Sequence, residues 1–191
     1  MGKGRLEAFS DGVLAIIITI MVLELKVPHG DSLAAIRPLL PVFLSYVLSF
    51  LYVGIYWNNH HHLLHSAGKV TGPMLWANLH LLFWLSLIPF VTNWMGENHF
   101  SEWPAALYGA VLFFAAIAYY ILAHTLVSLH GRSSTLATAL GADFKGKISI
   151  VICAVAMPLA FVRSWLACGL YVLIAVMWLV ADRRIERTLT N

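Results

Sequence analysis

The residues best placed to do chemistry are acids and imidazoles set into an otherwise apolar chain. Asp11 and Glu24 bracket twelve uncharged residues, fewer than the roughly 20 that a membrane-spanning helix needs. A helix through this run therefore carries at least one carboxylate toward the bilayer. An ionised group there is costly, and marks either a polar network inside a bundle or a path for cations or protons. Arg5 and neighbouring polar side chains are the partners at hand for Asp11. His60, His61, His62 and His65 form a second cluster. His61 with His65, and His62 with His65, have the helical spacing of metal-binding pairs. No cysteine or acid lies within a turn to complete such a site, so no metal is expected, and the cluster reads as imidazoles at the negative end of a helix. His80 and His124 lie deeper in apolar runs. They read as buried, satisfied histidines, with axial haem ligation as the alternative.

No phosphate-binding glycine loop, zinc-protease motif or nucleophile elbow occurs, so no catalytic activity is expected. The elements that must position the acids and histidines are membrane helices. Of the 191 residues, 60% are hydrophobic and 11% charged, against about 25% charged in an ordinary soluble domain. Mean hydropathy is +0.80. The net charge of +3 comes from cations scattered singly or in pairs at the ends of apolar runs. That is the pattern of a multi-pass membrane protein, and it argues against a nucleic-acid surface. Cys153 and Cys168 lie inside apolar runs and read as small buried hydrophobes.

Uncharged runs place the spans. Pro38 to Gly68 gives 31 residues, Val70 to Gly96 gives 27 and Trp103 to Gly131 gives 29. Ile148 to Ala181 gives 34 residues interrupted only by Arg163, too long for one helix and divisible near Pro158 to Trp165. With the first segment, the expectation is an all-α membrane domain over residues 1–191, with six transmembrane helices near 6–26, 39–64, 72–95, 104–129, 147–162 and 165–182. Lys3 and Arg5 ahead of an apolar run resemble a secretory signal, but Glu7 and Asp11 interrupt it and no small-residue cleavage site precedes Pro28. The segment is therefore read as a retained first helix.

With the N-terminus in the cytoplasm, the inner side collects nine basic residues: Lys3, Arg5, Lys69, Arg132, Lys145, Lys147, Arg183, Arg184 and Arg187. Lys26, Arg37 and Arg163 remain outside. This bias puts both termini in the cytoplasm, and Trp94, Trp103 and Trp165 supply an interfacial aromatic belt.

At about 100° per residue, the first helix gathers Phe9, Gly12, Ile16, Thr19, Ile20 and Leu23 on one face and turns Ser10 and Asp11 to the other. The acid side needs polar partners. The smooth stripe either lines a narrow path or simply packs.

The opening Arg5, Phe9, Ser10 and Asp11, with Ala15-Ile16 and Thr19 following, resembles the R-x-x-x-F-S-D signature of the transmembrane protein 175 family, endolysosomal potassium channels and their prokaryotic relatives. Trp57 and His60 in YWNNH, and Asn78 and Pro89 in NLHLLFWLSLIPF, resemble that family's second- and third-helix motifs. The resemblance implies a weakly selective potassium channel, preferring potassium to sodium, assembled in the cell membrane as a homotetramer around its first helices. It implies a pore constriction at Ile16, continued by Thr19, Ile20 and Leu23, and a polar network of Arg5, Ser10, Asp11, Trp57, His60 and Asn78 that fixes the helix near its inner end. Glu24 would stand at the outer mouth, concentrating cations or pairing with Lys26. No cofactor is implied beyond permeating monovalent cations, and the partners are other copies of the chain and the lipid bilayer. Nothing like a carbonyl-ring filter is present, so an apolar constriction that gates by dewetting is expected. The alternatives are a secondary transporter for a cation or proton, a binding or assembly protein that passes no ions, and a haem-binding electron-transfer protein.

Overall fold

The structure, a computed structural model, describes residues 2–65, 67, 69–130 and 144–179. Among them every regular element is helical: α1 (Lys3–Leu23), a short 3-10 helix (Leu33–Leu39), α2 (Leu40–His65), α3 (Gly72–Ser86), α4 (Ile88–Glu97), α5 (Glu102–His130), α6 (Phe144–Ala160) and α7 (Ser164–Leu179). Five helical segments are long and apolar enough to cross a membrane. The chain is a multi-pass membrane protein. Arg132, Arg183, Arg184 and Arg187, and the expected end of the last helix at 182, lie outside the described residues.

Two prolines mark the departures from unbroken helices. The run expected as one helix over 72–95 is two, α3 and α4, meeting at Leu87. Pro89 has no N–H to offer the Leu85 carbonyl, and its ring crowds that same carbonyl, so the helix cannot continue straight through. The final segment of 36 residues is divided after Pro158 by a turn at 161–163, closed by the Arg163 amide on the Leu159 carbonyl at 2.9 Å. α6 and α7 then pack against each other.

α5 is the central helix, in contact with α3, α4, α6 and α7. Lipid tails are as apolar as leucine, so close packing and buried hydrogen bonds must hold such helices together. Gly96 brings α4 against α2: a Cβ there would stand 2.6 Å from the Val42 Cα. Gly109 on α5 accepts the Tyr171 hydroxyl where any side chain would collide with it. That hydroxyl donates to the Ala105 carbonyl at 3.1 Å. A hydroxyl relay links α5, α2 and α4. Thr92 donates to the Ile88 carbonyl at 2.6 Å, which leaves Ser49 to donate to Thr92 at 2.6 Å and Tyr108 to donate to Ser49 at 3.0 Å. Sequence reading missed this relay, because uncharged hydroxyls in apolar runs leave no mark on hydropathy. Trp103 and Trp165 lie exposed, and Trp103 packs edge-on against Phe161 in the turn between α6 and α7, ring centroids 4.8 Å apart.

The candidate pore-lining helix and its polar anchor

α1 packs on α2, α3 and α4 and buries one stripe, Leu6, Ser10, Leu14, Ile17 and Met21. These positions recur every three or four residues, one face of a helix. The opposite stripe is bare in the protomer: Phe9, Ile16, Ile20 and Leu23 are 49%, 60%, 42% and 76% exposed, and Gly12 and Thr19 are exposed between them. A Cβ at Gly12 would meet nothing within 4 Å. The Thr19 hydroxyl donates to the Ala15 carbonyl at 2.9 Å, so its proton is taken by the backbone while its oxygen lone pairs stay available.

Beneath the buried stripe lies a directional hydrogen-bond chain. Ser10 Oγ donates to the Leu6 carbonyl at 2.9 Å, and Asn78 Nδ2 donates to Ser10 Oγ at 3.0 Å. Asn78 Oδ1 is therefore the acceptor for His60, 2.6 Å from Nε2, so the His60 imidazole carries its proton on Nε2. All three side chains are buried, Ser10 and Asn78 at 0% and His60 at 2% exposure. The chain ties α2 and α3 to α1, and each link has a donor and an acceptor.

Asp11 stands apart from this chain. The paired expectation for Ser10 and Asp11 splits: Ser10 is buried, whereas Asp11 is exposed on the flank and accepts a hydrogen bond from Trp57 Nε1 at 3.1 Å. Trp57 stacks on His61, and His61 on His65, with ring centroids 6.2 and 6.0 Å apart. Lys3 donates to the His65 carbonyl. Among the described residues Arg5 makes no ion pair with Asp11; the ion pairs are Lys3 with Glu7 and Lys26 with Glu97. At the other end of α1, Glu24 Oε2 is 3.4 Å from Asn93 Nδ2, while Lys26 pairs with Glu97. Lys26 thus takes a different acid from the one beside it in sequence. Its hydrogen bond with Glu97, more than the added attraction of Glu24, raises its pKa above the ordinary lysine value.

The remaining histidines differ from expectation. His80 and His124 are exposed on the protomer surface. His80 Nε2 accepts from Trp84 Nε1 at 3.0 Å, and His124 Nδ1 lies 3.0 Å from the Tyr120 carbonyl. Such intrahelical partners satisfy imidazoles that have no neighbouring helix over them. Among the described residues, no group of histidines, cysteines and acids could hold a metal ion. Cys153 is buried and Cys168 partly buried, both as free thiols.

A bundle whose described elements are all helices, several of them long and apolar enough to cross a membrane, defines a class, the multi-pass helical membrane proteins. Comparison with known proteins is more specific. The family model for the endosomal/lysosomal potassium channel TMEM175 matches residues 5–89, the stretch that holds the α1 stripe, the Ser10–Asn78–His60 chain and the Asp11–Trp57 bond. A potassium channel of Chryseobacterium sp. (strain P1-3) is 56% identical over 189 residues, covering 99% of this chain and 98% of that one. The crystal structure of a lysosomal potassium-selective channel TMEM175 homolog from Chamaesiphon minutus superposes with a TM-score of 0.80 at 26% identity, over 93% of this chain and 96% of that one. The endosomal/lysosomal proton channel TMEM175 of Gallus gallus is 31% identical over 149 residues, 70% of this chain and 30% of that one. The chain belongs to the TMEM175 family, whose members are channels and not enzymes.

Proposed function

We propose that the chain is one subunit of a potassium channel, and that four copies surround an axis lined by α1. In this reading α6 and α7 each cross the bilayer, giving six spans with both termini in the cytoplasm of a plasma membrane. The observation that carries it is the bare Ile16 stripe on a helix whose opposite side is sealed into its own protomer. Rings of Ile16, Ile20 and Leu23 form an apolar constriction that closes to ions by losing its water. Thr19, its proton held by Ala15, turns lone pairs toward the axis and replaces part of a cation's hydration shell. A ring of this kind discriminates weakly, favouring potassium over sodium. Glu24 raises the local cation concentration at the outer mouth. The buried Ser10–Asn78–His60 chain and the Asp11–Trp57 bond, with Arg5 at the inner end, hold α1 at the angle the constriction requires.

The test is reconstitution. Purified protein in liposomes passes a potassium current down its gradient without ATP or a coupled ion. Strict dependence on a sodium or proton gradient, or no flux at all, contradicts the proposal. Proton passage is the second reading, favoured by the name of the Gallus gallus relative; a current that follows the pH gradient and ignores potassium selects it.

A further inference from the structure

α2, α5, α6 and α7 line a narrow cleft that is partly open to the surroundings, and none of its lining residues belongs to α1. The lining recurs every three or four residues on each helix, so the cleft runs lengthwise along the bundle. Its extent along α2, from Tyr52 to Asn59, is about 10 Å at 1.5 Å per residue. The chemistry changes along that length. Toward the end where α2 finishes and α6 begins the wall carries Asn59, Ser149 and Trp178; deeper in, it carries Leu112, Cys153 and Ile174. Tyr56 lies between the two groups, and its hydroxyl makes no hydrogen bond among the described residues. The polar end is also the basic end. Lys145 Nζ stands 5.9 Å from the Trp178 ring centroid, and Lys147 is exposed two residues further along α6.

The deep part of the slot, between Leu112, Cys153 and Ile174, offers water few partners, and within a bilayer the material at hand to fill it is a lipid tail. Basic side chains at the head of a cleft between membrane helices select anionic headgroups. We infer that the cleft holds one acyl chain of an anionic phospholipid, with the phosphate beside Lys145 and Lys147, the ester region within reach of the Tyr56 hydroxyl, and the tail between Leu112, Cys153 and Ile174. The site is independent of the α1 stripe and stands or falls without the pore assignment.

Native mass spectrometry of the detergent-solubilised full chain, titrated in parallel with phosphatidylglycerol and phosphatidylcholine, tests the site. Phosphatidylglycerol is expected to be retained about tenfold more than phosphatidylcholine. Long-chain phosphatidylglycerol should be retained more than the short-chain form, since the tail is what the cleft holds. Ala116→Phe, which fills the middle of the cleft, should reduce retention about tenfold, whereas Lys145→Gln with Lys147→Gln should remove the headgroup preference and keep the chain-length preference. Equal retention of both headgroups by the unaltered protein, or retention indifferent to chain length, overturns the inference without recourse to any variant. So does a folded Ala116→Phe protein that binds as the parent does.

Discussion

The buried side of α1 presents Leu6, Ser10, Leu14, Ile17 and Met21 to its own protomer, whereas the bare side leaves Ile16 and Leu23 60% and 76% exposed. Both sides are mostly apolar, so hydrophobicity does not tell them apart. What distinguishes them is polar satisfaction. The buried side contains one hydroxyl, and it is the middle of a chain with a partner at each link. The bare side contains one hydroxyl too, Thr19, and it is satisfied only along its own helix. The difference separates fixing the helix from what the helix does. Variants of the buried side should act on stability, and variants of the bare side on flux.

The largest effect should come from Asn78→Leu, which strands the His60 N–H away from water and leaves the Ser10 hydroxyl with only its Leu6 partner. A stranded group costs about 1–3 kcal/mol, and thermal unfolding of the purified protein should show a marked loss. Replacing all three residues with apolar ones of similar shape (Ser10→Ala, Asn78→Leu, His60→Leu) should recover much of that loss, since no polar group is then left unpaired. A triple variant as unstable as the single one would show that the chain is not what holds α1. Next in size, Ile16→Asn on the bare side should leave the melting temperature nearly unchanged while wetting the constriction, raising potassium flux and moving the potassium-to-sodium ratio toward unity. Flux unaltered in liposomes would remove Ile16 from the path. Asp11→Ala, on the flank, should lower stability by about 1 kcal/mol through loss of the Trp57 bond and leave ion preference unaltered. A stable variant with changed preference would move Asp11 into the path.

The smallest effect is electrostatic and lies outside the membrane. Lys26 is exposed, and its pKa is raised first by its hydrogen bond to Glu97. A raised lysine pKa means the folded state holds the proton more tightly. The contribution is therefore complete below the ordinary lysine value and disappears as pH rises through the folded pKa. Melting temperatures should show a slight extra decline in that alkaline range, absent in Glu97→Gln and weakened by salt. The same slope in Glu97→Gln would separate the pair from stability.

Much of this is legible in the residues themselves. Charge-free runs gave the membrane helices, because a bilayer forbids unpaired backbone and most charge. The α1 wheel separated Ile16 and Leu23 from Ser10, because a helix of fixed pitch leaves no freedom in which residues share a face. Asp11 was harder. Its position on the wheel showed that it avoids the bare stripe, but not that Trp57, 46 residues away, would be its partner and leave it on the flank. Tertiary pairing carries no local signal. The break at Leu87 departs from the single helix expected over 72–95, although Pro89, with its missing donor, carries the signal for it. The Tyr108–Ser49–Thr92 relay and the cleft along α6 were not, since both arise from which helices become neighbours. His80 and His124 read as buried for the same reason: an apolar run says that a residue is in the membrane, not that another helix covers it.

The central claim is that Ile16 faces the ion path and Ile17, its neighbour, does not. In a protein with Cys153 and Cys168 replaced by serine, Ile16→Cys and Ile17→Cys can each be exposed to a water-soluble thiol reagent during single-channel recording in potassium. The account predicts that modification abolishes or sharply alters the current through Ile16→Cys and leaves Ile17→Cys untouched. A current altered through Ile17→Cys and unaffected through Ile16→Cys would contradict it.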